Sequence, residues 1–259
     1  MGFLSTTSAS LLLLASTAAA FPHAVRDQQQ QRNYSSLSWS KCDLPGFDYS
    51  KVEVPIHCAN LDVPLDYTHP EDGDLSLQLI KVNATKEPVL GSILFNPGGP
   101  GGSGVEDVAQ KGHIYDEILG GQYDLIGFDP RGVGQTLPFI CGLNWTEAPS
   151  AQQSHIQRRK EVVDQDIAEI FKSTGWDDAK FTAEGCYQAQ QQNGSYLSTA
   201  FVARDMLEIV DALGEDGMLR FWGQSYGTYL GQTFAAMFPD RIDRMVLDSV
   251  VDAPDYAKG

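Results

Sequence analysis

The sequence predicts an α/β fold, a mostly parallel sheet with helices on both faces. Three observations carry this. Short apolar runs that read as buried strands alternate with longer segments of helical period, the order a parallel sheet with crossover helices requires. Two of the runs lead straight into glycine-rich turns, at Asn96-Pro-Gly-Gly99 and at Gly223-Gln-Ser-Tyr-Gly227. The chain has 259 residues, of which 42% are hydrophobic and 20% charged, enough for one large domain with its own core.

The elements follow in order. Leu75, Leu77 and Leu79 alternate with Ser76 and Gln78, which predicts a half-exposed strand. The alternation changes phase at Ile80, so a bulge is expected there. Residues 92–95 form a short apolar run feeding the first glycine loop, and residues 123–128 a second buried strand ending at Asp129-Pro130. Between them, residues 105–119 read as a helix. Residues 142–195 break the rhythm: they are rich in Gln, Glu, Asp and Lys, hold an amphipathic stretch around 158–171, and read as an insertion. In residues 199–213, Val202, Met206, Ile209, Val210 and Leu213 share one helical face, and Gly214 is the stop. A strand over 218–222, a helix over 226–238 broken by Pro239, and a strand over 245–250 complete the pattern. No internal repeat is visible.

The first twenty residues read as a secretory signal peptide. Residues 11–14 are all leucine, and Ala18-Ala19-Ala20 offers a cleavage site, although no Lys or Arg precedes the leucines. The apolar stretch is too short for a membrane span, and no later segment approaches the length needed to cross a bilayer. Residues 21–40, Gln- and Ser-rich, read as a flexible mature N-terminus. Export also fits four N-x-S/T sequons, at Asn33, Asn83, Asn144 and Asn193. The four cysteines, Cys42, Cys58, Cys141 and Cys186, form two disulfides in an oxidising compartment, with three possible connectivities. Cys42–Cys58 with Cys141–Cys186 is favoured, since each pair brackets one irregular segment. The spacings match no zinc pattern, so no metal is expected, and no nucleotide or flavin motif calls for a cofactor. A formal charge of −16 repels phosphate backbones, so nucleic acid is excluded as a partner.

The segment that carries chemistry is Gly223-Gln-Ser225-Tyr-Gly227. It fits G-x-S-x-G and lies between an expected strand and an expected helix, the context that motif needs. The serine has to sit on a sharp turn with its hydroxyl clear of the backbone. Side chains at Gly223 and Gly227 would clash with the adjoining strand and helix. Acyl transfer also needs donors for the oxyanion. One is expected from the N–H of Tyr226, the other from the loop after the third strand, at Gly98 or Gly99. That loop lacks both the P-loop ending and the dinucleotide-binding spacing. Asp129 and Arg131 are expected to pair with each other and fix the loop beside the serine, the alternative for Arg131 being a substrate carboxylate.

Together these segments resemble the tripeptidyl-aminopeptidase and proline-iminopeptidase-like branch of the α/β-hydrolases. The similar stretches are residues 58–67, Asn96-Pro-Gly-Gly-Pro-Gly101, Asp129-Pro-Arg-Gly-Val-Gly134, residues 223–231, Phe238-Pro-Asp-Arg241 and Met245-Val-Leu-Asp248. They run in family order from about residue 39 onward. The resemblance implies an α/β-hydrolase domain over residues 41–259. It also implies a secreted, extracellular serine exopeptidase that releases short peptides or single residues from free N-termini, with Ser225 as nucleophile. An esterase or lipase acting on small acyl esters, and a non-catalytic hydrolase-like binding protein, are the alternatives. The substrate is then a peptide or a small acyl compound; the sequence assigns no oligomeric state.

One departure stands against the family pattern. The triad runs Ser, acid, His in this fold, yet His23, His57, His69, His113 and His155 all precede Ser225. Asp248 and Asp252 follow it and are read as structural. The domain is therefore expected to be incomplete, cut after the strand that follows the nucleophile helix, and this chain to be inactive by itself.

Overall fold

A computed structural model describes residues 37–143 and 175–258. The signal peptide, most of the Gln-rich stretch, the sequons at Asn33 and Asn144 and the amphipathic stretch around 158–171 lie outside them. The described residues form a seven-stranded sheet. The strands are β1 (Ser40–Lys41), β2 (Ile56–Pro64), β3 (Asp74–Val82), β4 (Ser92–Asn96), β5 (Asp124–Phe128), β6 (Leu219–Gln224) and β7 (Ile242–Asp248). The helices are α1 (Gly104–Ile118), α2 (Trp176–Ala189), α3 (Thr199–Leu213), α4 (Tyr226–Met237) and α5 (Ala253–Lys258).

The spatial order is β1-β2-β3-β5-β4-β6-β7. β5, β4, β6 and β7 run parallel, and β1, β2 and β3 add antiparallel pairings at one side. The chain leaves β4 for β5 on one side, whereas β6 lies on the other. The carboxyl ends of β4 and β6 therefore flank a topological switch point, where open α/β sheets leave a crevice for ligands. Asn96 and Gly223 are register partners at that end.

Each central strand is covered on both faces, and alternate residues feed two cores. Leu94 and Phe221 pack with α3 and α4 on one face, in a cluster with Leu77, Phe128, Met206 and Phe234. Ile93, Phe95 and Trp222 pack with α1 on the other, beside Val105 and Val108. Phe95 is 0% exposed and meets Tyr115 and Trp222 with ring centroids 4.6 and 5.6 Å away.

The expected bulge at Ile80 is absent. β3 pairs with β2 in unbroken register from Asp74 to Val82. The phase change marks a switch in cover: Leu75, Leu77 and Leu79 face the α3 side, while Ile80 and Val82 face the α1 side. Strand β2 was not foreseen, though its pattern is regular: Ala59, Leu61 and Val63 are buried and Asn60 and Asp62 exposed. Helix α3 matches its expected bounds, and α1 starts with Ser103, whose hydroxyl accepts the Glu106 N–H at 3.0 Å. Both favoured disulfides are present, Cys42–Cys58 pinning the chain to β2 and Cys141–Cys186 tying α2 to the chain after β5. Among the described residues, no helix is long and apolar enough to cross a membrane.

Candidate active site

A single residue, Ser225, separates the end of β6 from the start of α4. Its backbone sits at φ 53 and ψ −120, a region that costs a non-glycine residue roughly 1–3 kcal/mol. Hydrogen bonds on both sides hold it there. The Ser225 N–H donates to the Asp248 carbonyl at 3.0 Å, and the Ser225 carbonyl accepts from the Thr228 N–H at 2.9 Å and its hydroxyl at 2.7 Å. The Thr228 hydroxyl in turn accepts the Val251 N–H at 3.0 Å. β7 and the chain after it thus clamp the turn.

The two flanking glycines are required by space. A Cβ on Gly223 would stand 2.4 Å from the Gly227 carbonyl oxygen, and one on Gly227 2.7 Å from the Asn96 carbonyl oxygen. Ser225 itself is exposed, while Tyr226 behind it is buried. The serine hydroxyl thus stands at the amino end of α4, where the helix dipole and the unsatisfied first N–H groups favour negative charge.

The glycine loop after β4 lies directly against this turn. A Cβ on Gly98 would fall 2.4 Å from the Gln224 carbonyl oxygen and 3.1 Å from the Tyr226 nitrogen. The Gly98 N–H is already committed to Asn96 Oδ1 at 3.0 Å, and Gly102 N–H closes the loop onto the Gly98 carbonyl at 3.1 Å. Of the two glycines singled out in the sequence, Gly99 is the one whose N–H has no partner among the described residues. Asn96 latches the loop from beneath; it is 1% exposed, and its Nδ2 has no partner among the described residues.

The expected Asp129–Arg131 pair is not formed, and neither is a free Arg131. Asp129 turns to the start of α1, accepting the Ser103 hydroxyl at 2.6 Å and the Val105 N–H at 3.2 Å. Burial pushes its carboxyl above the ordinary carboxylate range, and these hydrogen bonds oppose the shift. Arg131 turns the other way, to Asp205 on α3, at 2.8 and 2.9 Å for its two bonds. It also donates to the Pro64 and Leu65 carbonyls, and its side chain is 0% exposed. Tyr67 donates its hydroxyl to Asp205 at 2.8 Å, and Tyr67 and Phe201 flank the guanidinium. Burial and the Asp205 carboxylate hold the Tyr67 hydroxyl protonated far above its usual range. Sequence reasoning missed Asp205 and Tyr67. The signal was an acid on the apolar face of α3, one turn from both Val202 and Ile209.

A cavity of about 440 Å³ opens between the glycine loop, the Pro130–Val133 turn and the start of α3, with Tyr226 in its wall. The Tyr226 and Thr199 hydroxyls bond to each other across it at 2.8 Å.

The remaining candidates are placed as follows. Asp248 accepts from the Gln224 amide at 3.2 Å, and Asp252 accepts the Asp255 N–H at 3.0 Å, capping α5. His57 sits in β2, His69 contacts Thr68 and Asp66, and His113 faces Glu53 at 3.5 Å. None of the three hydrogen-bonds Ser225. Asn83 and Asn193 are exposed. The ligand atoms of Asp66, His69 and Asp72 lie within 4.8 Å of one another, but the Asp66 carboxylate already serves the Thr68 N–H and hydroxyl.

The sequence profile of the alpha/beta hydrolase fold matches residues 91–258. Among curated proteins, the chain is 32% identical over 225 residues to a tripeptidyl aminopeptidase of Streptomyces lividans, covering 84% of this chain and 39% of that one. It is 34% identical over 221 residues to the serine protease Hip1 of Mycobacterium tuberculosis, covering 83% and 40%. It is 40% identical over 104 residues to a carboxylesterase B of the same species, covering 40% and 20%. The chain thus spans about two fifths of the length of the two peptidases.

Proposed function

The chain belongs to the alpha/beta hydrolase fold family, and on that premise we propose that it is a secreted serine exopeptidase acting through an acyl-enzyme on Ser225. In the proposed reaction, Ser225 Oγ bonds to the carbonyl carbon of the scissile amide and the carbonyl π pair moves onto oxygen. The N–H groups of Tyr226 and Gly99 receive that charge. Collapse breaks the C–N bond, the departing amine takes a proton, and water then hydrolyses the ester. The Ser225 proton needs a base, because a serine hydroxyl is a weak nucleophile without one. That base is a group other than the three described histidines. Oxyanion donors and binding without it leave only about 10³–10⁴ over water.

The observation that carries the reading is the exposed Ser225 at positive φ, with the glycine loop packed against the Tyr226 nitrogen. Exopeptidase action rests on the tripeptidyl aminopeptidase, peptide hydrolysis on that relative and the serine protease together, and export on the two disulfides. A panel of peptidyl amides carrying free or acetylated N-termini tests it. Release of short peptides from the free-amine substrates alone, abolished by Ser225→Ala, is the expected result. Equal cleavage of both sets contradicts the exopeptidase reading.

The carboxylesterase relative favours a second reading, hydrolysis of small acyl esters. Turnover of p-nitrophenyl esters with no turnover of any peptidyl amide would select it.

A further inference from the structure

The cavity beside Tyr226 has a wall that offers no unpaired charge among the described residues. Its apolar part is Pro100, Pro130, Val133, Leu197 and Val202, with Phe139 at the lip, 46% exposed. No Asp, Glu or Lys lines it among the described residues. Its one charged residue, Arg131, is neutralised by Asp205, commits four of its five N–H groups to that carboxylate and two backbone carbonyls, and has a side chain that is 0% exposed. The polar side chains are neutral, and of them Asn96 Nδ2 has no partner among the described residues. Ser198 Oγ accepts the Phe201 N–H at 3.2 Å, and the Thr199 and Tyr226 hydroxyls bond to each other. A charged group entering here would lose water and gain no counter-charge, which is strongly unfavourable. An apolar group would lose only its exposed surface.

The cavity also has the right address. Gly98 and Tyr226 belong both to its wall and to the site that faces the candidate oxyanion. Whatever is bonded to the carbonyl carbon held there has its side chain within reach. A volume of about 440 Å³ falls in the range of a small-molecule site and admits a large side chain.

We infer that this cavity is the subsite for the side chain of the residue whose carbonyl Ser225 attacks, and that it selects uncharged apolar side chains of leucine or phenylalanine size while rejecting lysine and glutamate. The inference rests on Ser225 being the nucleophile. It assigns the specificity to residues of this chain, with Leu197 and Val202 as the determining walls.

The test is a series of peptidyl diphenyl phosphonates that differ only in the side chain next to phosphorus, reacted with the full chain. A fluorophosphonate without a side chain serves as reference. The leucine and phenylalanine probes are expected to inactivate about 100-fold faster than the lysine and glutamate probes. Leu197→Glu, at a half-buried position in the loop before α3, is expected to raise the lysine probe's rate by about tenfold, the worth of one partly desolvated ion pair. Equal rates for charged and apolar probes overturn the assignment, with the nucleophile reading intact if the fluorophosphonate still labels. If the fluorophosphonate itself fails in a sample that turns over peptidyl amides, the nucleophile reading falls. The cavity is then judged by calorimetric titration with acetyl-leucinamide and acetyl-lysinamide: preference for the first supports the apolar subsite, and equal binding overturns it.

Discussion

Replacing Asp205 by alanine should be among the most damaging single changes in this domain. Asp205 is 0% exposed and holds Arg131 through two hydrogen bonds, and Arg131 in turn ties the carboxyl end of β2 to the Pro130–Val133 turn. Removing the acid leaves a guanidinium with a fully buried side chain and no counter-charge. Breaking one side of such a pair costs about 3–5 kcal/mol, against a total stability of about 5–15 kcal/mol for a typical domain. With a urea m-value of about 2–3 kcal/mol/M, the midpoint should fall by roughly 1–2 M. The control removes all three partners together. Arg131→Met, Asp205→Leu and Tyr67→Phe in one chain should recover most of the loss, because no charge or hydroxyl is then stranded. Equilibrium urea unfolding, followed by tryptophan fluorescence, measures both variants. A cost under about 1 kcal/mol for Asp205→Ala, or a triple variant no better than the single one, would refute the claim that the pair is a buried, mutually dependent clamp.

Other perturbations probe the site itself. Gly98→Ala puts a methyl 2.4 Å from the Gln224 carbonyl oxygen at φ +95, so the loop must back away from Tyr226. A displacement of that order is expected to lower kcat by about 100-fold, while Gly102→Ala, which crowds only the loop's own Gly98 carbonyl and Pro97, tests how far the loop yields without touching the serine turn. Ser225→Gly relieves the positive φ and should raise stability by about 1 kcal/mol while abolishing phosphonate labelling; a thermal melt that falls instead would mean that the turn is not strained. Asp129 gives a pH signature. Its folded carboxyl lies above the ordinary value of 3.8 because it is buried, so the stability it contributes is fully present below that unfolded value and is lost as pH rises through the folded one. The stability difference between the wild type and Asp129→Asn should therefore shift against the wild type over that rise, and a difference independent of pH would show that Asp129 is not perturbed.

Much of the arrangement is legible in the sequence because it is local. The strand–serine–helix turn is set by glycines at 223 and 227, and both are needed for contacts within a few residues or with the adjacent strand end. The apolar face of α3 repeats at helical spacing, so its bounds follow from the sequence. Ile80 misled because period 2 holds only for a strand with one covered face, and β3 changes cover partway along. β2 was hidden by Pro and Asp punctuation, although its alternation of Ala59, Leu61 and Val63 with polar residues is regular. The partner of Arg131 was out of reach for a different reason. Asp129 is two residues away in sequence, but Asp205 is brought in by the packing of α3 across the sheet, and local spacing carries no record of that. That the Gly98 N–H is committed was likewise out of reach, because its partner is the Asn96 side chain.

The most direct test of the account is the site of fluorophosphonate attachment, read by mass spectrometry of tryptic peptides from the native protein. A single adduct is expected on the peptide that contains Ser225, absent from Ser225→Ala although that variant melts as a folded protein. An adduct on a different serine, or none in a native sample that turns over peptidyl amides, would contradict the assignment of Ser225 as the nucleophile.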